Sequence, residues 1–192
     1  MSCTGIAANI AFNCNSTGNN AGVEELAVLF RWSDIDQGAC TFDATNPLKL
    51  ETLVGDSSPL AGYSYTSAFN AIRPNFSKVA DGFNPNKYAH VVNLPIYGED
   101  PTTNRELEKL VGDKVVAVVF TNARTVEVFG FWSGLYVTSY TKDFYENEAS
   151  HQIVLSTPEG VAEPSIPYHY VGSSSPSDDF ETLRAEILAY VS

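Results

Sequence analysis

Apolar residues come in short bursts along this chain, and that brevity constrains the fold more than any other feature. The longest purely apolar run covers residues 115–120, Val-Val-Ala-Val-Val-Phe. A helix crossing a bilayer needs roughly 20 such residues, whereas a strand buried on both faces needs roughly four to eight. Residues 25–32, apolar from Leu26 to Phe30, form a second short run that reads as a strand, closed by the turn formers of residues 33–36. Elsewhere the pattern alternates. Tyr63, Tyr65, Ser67, Phe69 and Ala71 fall on one side, with Ser64, Thr66, Ala68 and Asn70 on the other, and a period of two is a strand. Residues 88–97 read the same way. Between them, residues 77–87 carry Gly82 and Asn84-Pro85-Asn86, which continue neither strand. The expectation is a long hairpin made by residues 63–71 and 88–97, with a tip of about ten residues, longer than is usual.

Residues 100–112 give the clearest helix signal. Thr103 and Glu106 have capping-box spacing, Leu107, Leu110 and Val111 share a face, and Gly112 stands at the C′ position of a two-turn helix. Strands follow at 114–121, at 125–132 and from 134 or 135 to 140, and a further one at 151–157 follows the polar turn 143–150. Residues 166–171 are a candidate edge strand, since Pro164 and Pro167 suit only an edge. Residues 48–54 are a weaker candidate. A second helix spans 178–191, with Ser177 as N-cap, acids near its first turn, and Phe180, Leu183, Ile187 and Val191 as its apolar stripe. Seven or eight strands, two helices and no βαβ alternation define a mainly β, α+β class. The expected architecture is an antiparallel β-sandwich or barrel with a long hairpin and two short peripheral helices. Residues 1–22, rich in Asn, Gly, Ser and Ala and without sustained period, read as an arm or loop, and residues 23–192 as a single β-rich domain.

Composition narrows the function classes. The 192 residues carry 11 Lys and Arg against 23 Asp and Glu, a formal charge of −12, which argues against sequence-specific or other phosphate-gripping nucleic-acid binding and against anionic membranes. At 44% hydrophobic and 18% charged, the chain lies far from the compositions that stay disordered. The first residues lack the basic and apolar regions of a signal peptide, so no export is expected. Cys3, Cys14 and Cys40 are odd in number and lack zinc-site spacing, and read as free thiols. The charge is uneven: residues 61–97 hold only Asp81 against Arg73, Lys78 and Lys87, so the hairpin is the one basic part of an acidic protein.

Candidate chemistry is thin. His90, His151 and His169 stand in no nucleophile motif and read as packed or surface histidines. Gly-x-Ser-x-Gly, the P-loop and Gly-x-Gly-x-x-Gly are absent. Asp34 and Asp36 have the spacing of a metal-binding pair, but also that of a solvated strand end. Glu24-Glu25, Glu146 with Glu148, and Asp178-Asp179 read as solvated charge or helix-dipole compensation. The aromatics at 129–132 and 136–145 suit either cross-strand packing and subunit contact or a sugar-stacking platform centred on Trp132. No catalytic, cofactor-binding or metal-ligating residue is assigned, and no enzyme activity or cofactor is expected.

The order of elements carries one further signal. A long hairpin with an extended tip, a capped helix, the run 115–120 and then Val126-Glu-Val-Phe-Gly-Phe-Trp-Ser-Gly-Leu135, followed after a polar turn by His151-Gln-Ile-Val-Leu-Ser156, resembles the tail tube proteins of tailed bacteriophages and related virion structural proteins. The resemblance covers roughly residues 60–157. It implies a β-sandwich subunit that projects its hairpin, forms homo-oligomeric rings of six, contacts other virion proteins, and stacks into a hollow conduit for DNA. It also implies assembly in the host cytoplasm and residence in the virion. An auxiliary capsid or head-to-tail connector protein is the alternative within this class, and a carbohydrate- or receptor-binding β domain the alternative outside it. The bases Arg73, Lys78 and Lys87 are expected to meet acids of a neighbouring subunit, with Asp34, Asp36, Asp178, Asp179 and Glu181 as candidates.

Overall fold

The computed structural model describes residues 22–56, 59–67, 71–79, 87–97, 101–142, 150–172 and 179–191. Ten strands and two α-helices occur among them: β1 Val23–Arg31, β2 Lys49–Leu50, β3 Gly62–Thr66, β4 Arg73–Lys78, β5 Tyr88–Ile96, α1 Pro101–Gly112, β6 Val115–Thr121, β7 Val126–Phe129, β8 Tyr136–Lys142, β9 His151–Ser156, β10 Tyr168–Tyr170 and α2 Phe180–Leu188. The strands form a six-stranded sheet in the order β2-β10-β7-β6-β1-β3 and a four-stranded sheet in the order β4-β5-β9-β8. Every pairing is antiparallel except that of β10 with the two-residue β2. The class is mainly β, α+β, as expected. No helix among the described residues is long and apolar enough to cross a membrane.

Strand β6 explains the layering. All of Val115–Phe120 is buried because both faces of the larger sheet are covered. Val116, Val118 and Phe120 point into a cluster closed by Phe180, Leu183 and Ile187 of α2 and by Ile35, Leu50 and Leu53. Val115, Ala117 and Val119 point the other way, into a cluster shared with Val92, Leu94, Ile153 and Leu155 of the smaller sheet and with Leu107 and Leu110 of α1. The second cluster is the filling of a two-sheet sandwich, and each fully buried Val, Leu or Phe stabilises it by about 1.5–3 kcal/mol.

The hairpin is not the one expected. Gly62–Thr66 pairs with β1 in the larger sheet, and the chain then crosses to the smaller sheet, where Arg73–Lys78 is the strand that pairs with β5. Alternation shows that a segment is a strand but not which strand it joins. Gly62 reveals the partner, since a Cβ there would lie 2.8 Å from Val28 Cγ1 and 2.9 Å from the Phe30 ring. Phe69 and residues 80–86 of the tip lie outside the described residues.

Helix α1 begins at Pro101, which suits the first helical turn because its missing N–H has no partner to lose. Thr103 and Glu106 therefore sit inside the helix rather than in a capping box, and Glu106 instead accepts from Lys109 Nζ at 2.6 Å. The helix has 12 residues, about three turns, and Val111 is 44% exposed rather than on the buried face. Of the segment 48–54 only Lys49–Leu50 is strand. Tyr168–Tyr170 lies between β2 and β7 instead of at an edge, with Pro167 just before it. Helix α2 starts after Asp179 and ends at Leu188, and Val191 makes a parallel bridge to Gly62 rather than extending the stripe. Ser177 lies outside the described residues.

Candidate functional site

The three histidines are far apart in role. His90 is fully buried; its Nδ1 accepts from Gly130 N at 3.1 Å, so Nε2 carries the proton and donates to Ser165 O at 3.0 Å. Burial lowers its pKa to about 4, leaving the ring neutral and fixed as a strut between β5 and two loops. His151 is buried with its Nδ1 2.8 Å from Tyr140 Oη and the two rings stacked. His169 is exposed and lies 3.1 Å from Glu127 Oε1, and this hydrogen bond raises its pKa.

Glu163 was not marked by any sequence pattern, yet it is the most constrained polar group among these. It has no solvent exposure. Oε1 accepts from Ser133 N at 2.7 Å and Ser133 Oγ at 2.6 Å, and Oε2 accepts from Trp132 N at 3.1 Å. Its backbone exchanges two hydrogen bonds with Tyr88, both 2.9 Å. The carboxyl group thus clamps the turn 130–134, whose Gly130 and Gly134 both adopt φ of +70°, to the tip-side end of β5. A single Glu between Ala162 and Pro164 carries no periodicity that could have announced this.

Asp34 and Asp36 do not converge on a ligand. Asp34 Oδ1 accepts from Ser33 Oγ at 3.0 Å, and Asp36 Oδ1 accepts from Gly38 N and Ala39 N at 3.0 and 3.1 Å. Among the described residues no group of three or more His, Cys, Asp or Glu could hold a metal ion. Cys40 is buried, which raises its thiol pKa, and Cys3 and Cys14 lie outside the described residues. Trp132 is 38% exposed, but its ring is stacked with Phe42 and edge-on to Phe131, and its Nε1 donates to Tyr168 Oη at 2.7 Å. Its carbonyl accepts from Trp32 Nε1 at 3.1 Å, and Lys114 Nζ stands 3.4 Å from the centre of the Trp32 ring. The aromatics tie the loop 32–42 to the sheet.

Two surfaces remain. The first is the outer face of the smaller sheet. Register places Arg73, Asn75 and Ser77 of β4, Ala89, Val91 and Asn93 of β5, Gln152, Val154 and Ser156 of β9, and Tyr136, Ser139 and Thr141 of β8 on that side. All are exposed or half-exposed. Seven of these twelve side chains are Ser, Thr, Asn or Gln, Ala89, Val91, Val154 and Tyr136 lie among them, and the face has one base and no acid, on a chain of net charge −12. The hairpin β4–β5 extends it, closed to Val79 N→Lys87 O at 2.9 Å, with Phe76 48% exposed beside Tyr88. Lys78 pairs with Tyr88 on the opposite face from Arg73. Of the acids expected to face these bases, Glu181 lies 3.4 Å from Arg124 of its own subunit and Asp179 accepts from Thr182 Oγ1 at 3.0 Å; Asp178 lies outside the described residues. The second surface is a cavity of about 400 Å³ between β3 and the first turns of α1, lined by Tyr63, Tyr65, Tyr97, Thr103 and Glu106 among others.

The fold and these surfaces define a mainly β, two-sheet protein with one open sheet face and an exposed edge strand, β4, in the hairpin β4–β5. No protein-family model, curated protein or solved structure matches the chain.

Proposed function

We propose that this chain is a structural subunit of a bacteriophage virion, a tail tube protein that assembles with copies of itself into rings of six, stacked as a conduit for DNA. The observation that carries the reading is the outer face of the smaller sheet. A tube that lets DNA slide needs a wall that does not grip phosphates with rows of Lys and Arg, and a face with Arg73 as its one charged residue and seven Ser, Thr, Asn or Gln side chains among twelve suits that task. The β4–β5 hairpin followed by α1 keeps the order of hairpin and helix on which the resemblance rests. Assembly takes place in the host cytoplasm and other virion proteins meet the ends of the stack.

The test is negative-stain microscopy with light scattering on the purified chain. Rings or tubes support the reading, and a chain that stays monomeric at every concentration and salt sinks it. A discrete closed assembly that never stacks moves the protein to the capsid or connector role. Deleting residues 79–84 at the hairpin tip is expected to leave a folded chain that no longer forms rings or tubes, because a tip bearing apolar groups such as Val79 and Phe83 is covered by a neighbour.

A further inference from the structure

Sheet edges invite pairing with other chains, and proteins blunt them with short strands, charges, prolines or bulges. Three of the four edges here are blunted. Strand β2 has two residues, β4 carries Arg73, Pro74 and Lys78, and β8 has a register shift between Val137 and Ser139. Strand β3, Gly-Tyr-Ser-Tyr-Thr, has none of these devices. Its Gly62 N donates outward to Tyr190 O at 2.8 Å, so by alternation the N–H and C=O groups of Ser64 and Thr66 also point away from β1. No backbone hydrogen bond among the described residues reaches them. Beside this edge lies the cavity against α1, floored by Tyr63, Tyr65 and Ile96. A strand added there gains backbone hydrogen bonds and a place for alternate side chains.

The chain itself holds a segment with matching chemistry. Residues 1–22 contain no Asp, Glu, Lys or Arg, and within them residues 5–12, Gly-Ile-Ala-Ala-Asn-Ile-Ala-Phe, form a short apolar stretch whose Ile6, Ile10 and Phe12, at even spacing, would share one face of an extended strand. The described chain begins at Gly22, whose carbonyl accepts from Asn122 N at 3.1 Å on the β6 side of β1. Direction decides the donor. Antiparallel pairing is the commoner kind, and a strand antiparallel to β3 runs parallel to β1, since β1 and β3 are antiparallel. Joining parallel strands takes a connection of about a dozen residues or more, and only residues 13–22 separate the segment from β1. We propose that residues 5–12 of a second copy add as an antiparallel strand to the β3 edge, seating Ile6, Ile10 and Phe12 in the cavity against α1. This rests on the self-assembly part of the proposed function but not on the tube.

The test uses full-length chains. Ile10→Asp should spoil the arm but leave the edge, and Ser64→Pro should remove one outward N–H from the edge but leave the arm; Thr66→Lys serves as a second edge variant should Ser64→Pro fail to fold. Circular dichroism checks folding. Each variant alone is expected to be monomeric by light scattering, and an equimolar mixture is expected to double in mass, because one chain supplies the arm and the other the edge. Variants that assemble like the parent chain, a mixture that stays monomeric, or a parent chain that is monomeric throughout would each overturn the proposal. Complementation without rings or tubes in the microscope upholds the arm exchange while removing the tail tube.

Discussion

Strands β6 and β9 are both regular and both central, yet they bury their residues differently. Every residue of Val115–Phe120 is buried, whereas β9 alternates, with His151, Ile153 and Leu155 inside and Gln152, Val154 and Ser156 half-exposed. The difference is one of layers: helix α2 and the loop 35–60 cover the far side of the larger sheet, and nothing comparable faces the outer side of the smaller one among the described residues. The larger sheet packs a core on each of its faces, whereas the smaller sheet packs one face and leaves the other open.

The sharpest way to break this contrast is to truncate one side chain on each sheet. Phe120→Ala, in the doubly covered strand, is expected to cost about 3–5 kcal/mol, while Val154→Ala on the open face should stay under about 1 kcal/mol. Urea unfolding of the two variants measures both, and equal losses would mean that the open face is covered. Next in size is Glu163→Ala, which strips acceptors from Trp132 N, Ser133 N and Ser133 Oγ and should cost about 2–4 kcal/mol. Glu163→Gln keeps an acceptor and should cost less; if the order reverses, the clamp is not what holds the turn 130–134.

The junction between the sheets should also respond to acid. His90 has a folded-state pKa of about 4 against about 6.5 when unfolded. Between these values the unfolded chain takes up a proton that the folded chain refuses, so stability is full above about pH 6.5 and falls as pH drops, by up to about 1.4 kcal/mol per pH unit. His169, raised by Glu127, works in the opposite sense and loses its contribution as pH rises through its folded value. Comparing unfolding free energies at pH 7 and 4.5 for the parent and His90→Gln isolates the first effect; identical pH slopes would remove it. The smallest expected effect on folding, under about 0.5 kcal/mol, belongs to Arg73→Glu on the exposed hairpin. Its effect should lie in assembly, slowed by the reversal and by raising salt from 0.1 to 1 M, as the Debye length shrinks from about 10 to about 3 Å. Light scattering that shows neither dependence would place Arg73 away from any acidic partner.

Period and punctuation made most strands legible. The all-buried β6 and the alternating β5 and β9 carry their layer in their spelling, because a strand covered on two sides needs apolar residues at every position and one covered on one side needs them at every second. The stripe Phe180, Leu183 and Ile187 announced α2 for the same reason. Pairing was not legible. The segments 62–66 and 73–78 both follow acceptable strand chemistry, and only the close approach of Gly62 to Val28 and Phe30 and the register of Arg73–Lys78 with β5 assign them to different sheets. Nor could local pattern foretell the burial of Glu163, since its three donors come from residues about 30 positions away. A sequence by itself determines what each segment can be, through side-chain volume, polarity and backbone freedom acting within a few residues. The tertiary structure decides which segments meet, because hydrogen bonds between strands and the satisfaction of buried polar groups depend on neighbours that only the closed chain supplies.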